Sequence, residues 1–301
     1  MNLLQDEQAQ RNEAVLRALG AQTPPVAGTI TPPYPLQPGE VWVPPTANYA
    51  QRNEEGVGRG RLAAWVLVDG ALGFILALVL QFIALFAFLQ IRNISGLDGI
   101  AALQNDPVFT LVAAPTLGLG FAGLAVLRIR VLRKLPWGWF GLHSRGIWSA
   151  IGWGTLAGFA FLLVNAGFSV LFRVLGSQPD QAEQIVGPFR TATPLQLGLL
   201  GLFIVVIGPF LEEVFFRGYA LRAFGQRFGA IWGVVLSAAL FSAPHALSIT
   251  TGFIGLLVPI FAGGVILGIV YQRTGNLWSA VVAHCINNLL GFIGLLAALQ
   301  Q

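Results

Sequence analysis

The sequence predicts an all-α fold, a polytopic bundle of about seven transmembrane helices. Three observations lead there. Hydrophobic residues fill 55% of the 301 positions and charged residues only 10%, against roughly 25% charged in an ordinary globular domain. A bilayer can cover that apolar excess and a soluble core cannot. The apolar residues gather into runs of about 20, the length at which a helix rising 1.5 Å per residue crosses the hydrocarbon layer. The arginines sit mostly at the ends of those runs, where headgroups lie.

In chain order, residues 1–60 read as a flexible cytoplasmic extension and 61–301 as the transmembrane domain. Met1–Gly20 is polar and lacks the apolar centre of a signal peptide. Leu3, Leu4, Val15, Leu16 and Leu19 give it the pattern of a short amphipathic helix. Eight of the 17 prolines fall between Thr23 and Pro45, which favours extended, solvated chain. Trp42, between two valines, is a candidate contact with the membrane surface or a partner. The expected spans are Leu62–Gln90, Pro107–Leu127, Ile147–Phe172, Leu195–Phe216, Ala230–Ile249, Gly252–Gln272 and Asn276–Ala298. No internal repeat of the kind that builds many transporters is visible.

Loop charge sets the expected orientation. With the N-terminus inside, the cytoplasmic side receives Arg52, Arg59, Arg61, the cluster Arg128, Arg130, Arg133, Lys134 and Arg145, then Arg217, Arg222, Arg227 and Arg273. The other side receives Arg92, Arg173 and Arg190. The net charge of +4 therefore points to anionic headgroups; no nucleic-acid motif accompanies it, and no nucleic-acid partner is expected. The single cysteine, Cys285, lies in an apolar run, which excludes an intrachain disulfide and a cysteine-based zinc site.

Ionisable groups inside hydrocarbon cost several kcal/mol and need a reason. The last third of the chain concentrates them. Glu212 and Glu213 adjoin in an apolar helix, and two of the three histidines, His245 and His284, fall in later apolar runs. Glu213 and Arg217, four apart, share a helix face and can pair. Glu212, rotated by about 100°, points elsewhere and is left for chemistry. If the fourth and fifth spans form a hairpin turning near Phe228–Gly229, Glu212 and His245 stand about 16 positions from the turn at equal depth. Pro244 should kink the backbone beside His245. His284 and Asn288 share a face suited to a developing oxyanion, whereas Asn287 points away. His143 lies in the basic loop and reads as a surface residue.

These segments resemble the CAAX prenyl endopeptidase (CPBP or ABI) family of intramembrane proteases. The similarity rests on Glu212-Glu213-Val214-Phe215-Phe216-Arg217, on Phe241-Ser242-Ala243-Pro244-His245 and on His284-Cys285-Ile286-Asn287-Asn288, in that order on successive apolar runs, with Arg273-Thr274-Gly275-Asn276-Leu277-Trp278 leading into the last. It covers about residues 195–298, implying a four-helix catalytic core there. The resemblance implies Glu212, His245, His284 and Asn288 as catalytic residues, with Glu213, Arg217 and Phe241 in support. Two routes follow: Glu212 activates water directly, or His245, His284 and Glu212 bind zinc or another divalent metal that does so. The implied substrate is a membrane-associated protein or peptide, reached from the cytoplasmic side. The alternatives are a non-proteolytic scaffold or bacteriocin-immunity protein, and a proton-coupled transporter using Glu212 and His245 as a relay.

Overall fold

The computed structural model describes residues 59–96, 103, 106–176, 189–248 and 253–300. The N-terminal extension up to residue 58, including Trp42 and the expected amphipathic helix, lies outside them. No strand occurs among the described residues. Helix α1 spans Arg59–Ile91 and α2 Pro107–Val126, continuing as a π turn over Leu127–Leu132. The start of α2 is set by Asp106, whose carboxylate accepts from the Val108 and Phe109 amides, and by Pro107 in the first turn, where a missing N–H costs nothing. Helix α3 is Ile147–Val174.

Helix α4, Pro194–Phe228, opens with a reciprocal Thr193–Gln196 cap. It carries two π segments, Phe203–Ile207 and Val214–Leu221. Helix α5, Ala230–Ser242, passes into a 3₁₀ stretch, Ala243–Ser248. Helices α6 (Phe253–Thr274) and α7 (Leu277–Ala298) complete the described chain, α7 being capped by Asn276.

Six of these helices are long and apolar enough to cross a membrane; the expected fifth span is not. Its apolar helix, Ala230–Ala246, reaches about 25 Å at α-helical rise, short of a ~30 Å hydrocarbon layer. The cause lies where Pro244 was expected to kink the chain. Regular α-helix ends at Ser242, because proline can neither donate to the preceding turn nor clear its carbonyl. Helix α5 still runs antiparallel to α6: Gln272 near the end of α6 donates to the Ala230 carbonyl at the start of α5 at 2.8 Å.

Small residues let the helices approach closely. A Cβ on Gly120 would overlap the Gly73 carbonyl, fixing the α1–α2 crossing, and a Cβ on Gly263 would overlap the Phe161 ring between α6 and α3. A Cβ on Gly154 would stand 2.6 Å from the Ser279 carbonyl, between α3 and α7. At the centre runs α4, with every residue from Val214 to Leu221 buried.

One buried tie has no counterpart in the sequence reading. Asp69 of α1, 1% exposed, accepts from Arg128 Nε and Nη2 at 2.8 and 2.6 Å and from the Tyr219 hydroxyl at 2.7 Å. Arg128 also stacks 3.9 Å over Trp65. Arg128 is therefore part of an internal ion pair and not of a headgroup-facing loop. Its basic loop is held in place further along. Tyr271 donates to the Phe140 carbonyl and accepts from Arg222, and Asn276 donates to the His143 and Arg145 carbonyls. His143 is half-buried, not a surface residue. These bonds gather the α2–α3 loop, the α4–α5 turn and the α6–α7 turn at one end of the bundle, the grouping that the arginine pattern anticipates.

Candidate functional site

Glu213 is fully enclosed and carries two partners on one oxygen. Its Oε1 accepts from Arg217 Nη1 at 2.8 Å and from His284 Nδ1 at 2.9 Å. The Arg217 guanidinium, also fully enclosed, donates to the Gly264 carbonyl at 3.1 Å and lies 4.5 Å over the Phe241 ring. The i to i+4 pairing expected from sequence is thus present, and it extends across the bundle to α7. Glu213 Oε2 and Arg217 Nε have no hydrogen-bond partner among the described residues.

Next along the helix, Glu212 is turned away from that pair. Its Oε2 stands 3.8 Å from His284 Nε2, with side chains 29% and 6% exposed respectively. One imidazole therefore spans both acids. Since a carboxylate can only accept, its Nδ1–H donates to Glu213, while Nε2 faces Glu212 and is an acceptor in the neutral ring. The Glu213–His284 bond was not foreseen; that the two glutamates flank a later histidine on opposite edges is not visible in spacing alone.

His245 makes its hydrogen-bond contact within its own segment. Among the described residues no ion pair or hydrogen bond joins it to Glu212; its Nδ1 lies 3.1 Å from the Phe241 carbonyl. On the two sides of the turn at Gly229, α4 is π-helical over Val214–Leu221 and His245 sits on a 3₁₀ stretch. Phe241 links the two histidines, its ring centroid 5.6 Å from that of His245 and 5.7 Å from that of His284.

Asn288 lies one turn beyond His284 on α7, yet its amide is engaged. Its Nδ2 donates to the Ile204 carbonyl at 3.0 Å and its Oδ1 accepts from Asn287 at 3.2 Å. Asn287 in turn accepts from Asn165 of α3 at 2.7 Å. The structure thus brings Glu212, Glu213, Arg217, Phe241 and His284 into one contiguous cluster, links His245 to it through Phe241, and holds Asn288 against α4.

Residues 194–290 match the sequence profile described as Rce1-like type II CAAX prenyl endopeptidase. That segment is similar to the CAAX prenyl endopeptidase family. The matched CAAX endopeptidase segment contains every site residue named above except Asn165. No match was found among curated proteins or among solved structures. The family is a protease family. His245, His284 and Glu212 were the expected metal donors, but among the described residues no group of three His, Cys, Asp or Glu side chains is placed to hold a metal ion. His284 Nε2 and Glu212 Oε2 face each other, but no third donor is placed beside them among the described residues, so in this arrangement the donors do not complete a metal site.

Proposed function

We propose that this chain is an intramembrane endopeptidase that hydrolyses a peptide bond of a membrane-associated protein or peptide with water activated by Glu212. The observation that carries the reading is the 3.8 Å gap between Glu212 Oε2 and His284 Nε2. Two acceptors at that separation suit one water that donates a hydrogen to each, each bond within about 2.8 Å. The water oxygen then keeps its lone pairs for attack on a carbonyl carbon. As the C–O bond forms, Glu212 takes the proton. As the C–N bond breaks, Glu212 returns that proton to the leaving amine nitrogen.

Glu213 supports this step from behind. By accepting Nδ1–H it fixes the His284 tautomer and ring orientation, and Arg217 balances its charge. Asn288 has a second N–H beyond the one on Ile204, and we assign it to the oxyanion, where one such donor contributes on the order of 10²–10³ in rate. His245, half-buried, retains a role in holding the substrate or the Phe241 ring. The matched family's name points to a substrate with a prenylated C-terminal Cys-aliphatic-aliphatic-X motif. The arginine pattern supports a cytoplasmic N-terminus and a site that opens to the same side.

The test uses full-length protein in liposomes with two internally quenched peptides ending in that motif, one farnesylated and one not. Cleavage by the wild type that is lost in Glu212→Gln supports the reading. Equal cleavage by Glu212→Gln removes Glu212 from the mechanism, and cleavage of the unmodified peptide alone refutes the prenyl preference.

A further inference from the structure

We infer that Asn165, on α3 and outside the matched segment, is a positioning residue for Asn288. The inference rests on the peptidase reading given above. Three amides form a head-to-tail chain: Asn165 Nδ2 donates to Asn287 Oδ1 at 2.7 Å, Asn287 Nδ2 to Asn288 Oδ1 at 3.2 Å, and Asn288 Nδ2 to the Ile204 carbonyl at 3.0 Å. The direction of the chain is fixed at its end, because a backbone carbonyl only accepts. The nitrogen of Asn288 must face Ile204, so its oxygen faces Asn287, and each preceding amide is oriented in turn.

The sequence supplies that terminal acceptor. In the π segment Phe203–Ile207 the Gly208 amide bonds to the Phe203 carbonyl, five residues back. In that register the Ile204 carbonyl would be taken by the amide of residue 209, which is proline and has none. Ile204 is therefore left with an accepting oxygen in a membrane-spanning helix, and Asn288 fills it. With one N–H so spent, the direction of the other is set by the amide plane. If the amide turned over, it would present oxygen to the oxyanion. Asn165 is the only member of the chain contributed by α3, and it acts on the reaction only through Asn287 and Asn288.

Two substitutions separate this role from packing. Asn165→Leu removes the donor and leaves the chain direction unopposed. It should lower kcat about fivefold to tenfold, as expected for one hydrogen bond, with KM little changed. Asn165→Asp keeps the shape. When protonated it still donates to Asn287. When ionised it only accepts, so Asn287 must reverse, Asn288 follows, and its oxygen meets the Ile204 carbonyl. The ratio of Asn165→Asp to wild-type kcat should therefore fall as pH rises, while the Asn165→Leu ratio stays flat. Titratable groups on the packed elements are His284 and Cys285 on α7, Tyr271 and Arg273 on α6, and Arg173 on α3 itself; all are common to variant and wild type and cancel in the ratio.

The assay is cleavage of the farnesylated quenched peptide in liposomes, with Glu212→Gln as the inactive control. A wild-type kcat at every pH in both variants overturns the inference, as does a pH-independent loss in Asn165→Asp. If Asn165→Leu does not accumulate, the pH series on a single Asn165→Asp sample decides, since folding is common to its points. If the wild type cleaves neither peptide, the peptidase reading fails. The ¹⁵N side-chain amide signal of Asn288 then decides the wiring: displaced in Asn165→Asp it stands, undisplaced it falls.

Discussion

Arg217→Ala is expected to destabilise the fold by about 3–5 kcal/mol, the range for removing one partner of a buried ion pair. Both members of this pair are fully enclosed and 2.8 Å apart. The guanidinium also donates to the Gly264 carbonyl and lies over the Phe241 ring, contacts worth about 1.5–3 and up to ~2 kcal/mol when desolvated. These figures overlap and do not add. The remaining bond from His284 to Glu213 keeps the loss from exceeding the upper end. Unfolding in mixed dodecylmaltoside–SDS micelles, followed by the fluorescence of the eight tryptophans, reads the change. Glu213→Gln with Arg217→Met removes both charges at similar volume and should be less destabilised than Arg217→Ala alone, since a buried pair exchanged for neutral groups is often near neutral. An Arg217→Ala protein within about 0.5 kcal/mol of wild type, the ordinary range for an inconsequential surface change, would refute the reasoning. If that protein were also inactive, Arg217 would act in the reaction itself.

Glu212→Gln should lower kcat by roughly 10²–10⁴, the usual contribution of a general acid–base group, with an unchanged unfolding midpoint; matched progress curves for the two proteins would contradict this. Gly263→Ala places a methyl group where the Phe161 ring sits, and should cost about 1–3 kcal/mol as overpacking in the same micelle titration. Reporter fusions should place the Arg133–Arg145 loop in the cytoplasm and the C-terminus outside. A reporter at Gln301 active only in the cytoplasm would break either the orientation or the alternation of seven helices.

Helix identity and order were legible because hydropathy and end charges act locally along the chain. The Glu213–Arg217 pair was legible for the same reason, being one turn long. What escaped depended on contacts between helices or on departures from α-helix. Asp69 carried a usable signal, an acid a few residues into an apolar run with Arg128 at the far end of the next. Its third partner, Tyr219, could not be read from spacing. The π segments of α4 and the 3₁₀ stretch that carries His245 are departures that spacing does not reveal. Pro209 and Pro244 were the visible markers, but the sequence does not say whether a proline shifts a helix to π, as before Gly208, or to 3₁₀, as at Ala243. Asn287 was correctly set apart from the His284 face by rotation, yet its destination on α3 required the fold.

The two adjacent glutamates make sense together and not singly. Of the four acids among the described residues, Asp69 pairs with Arg128, Asp106 with Arg92 and Glu213 with Arg217. Glu212 alone has no arginine. Glu213 is fully enclosed, and its Oε1 is occupied by Arg217 and His284, so it is placed to hold its neighbours and not to meet a water. Glu212, without such a clamp, keeps part of its side chain exposed. Adjacency on one helix gives both placements. The rotation that encloses Glu213 completely turns Glu212 outward, to 29% exposure. His284 then spans the boundary, one nitrogen on the enclosed acid and the other facing the open one. The arrangement is asymmetric for a physical reason, and exchanging the roles of the two acids would require rotating α4 against α7 by about the 100° between successive residues.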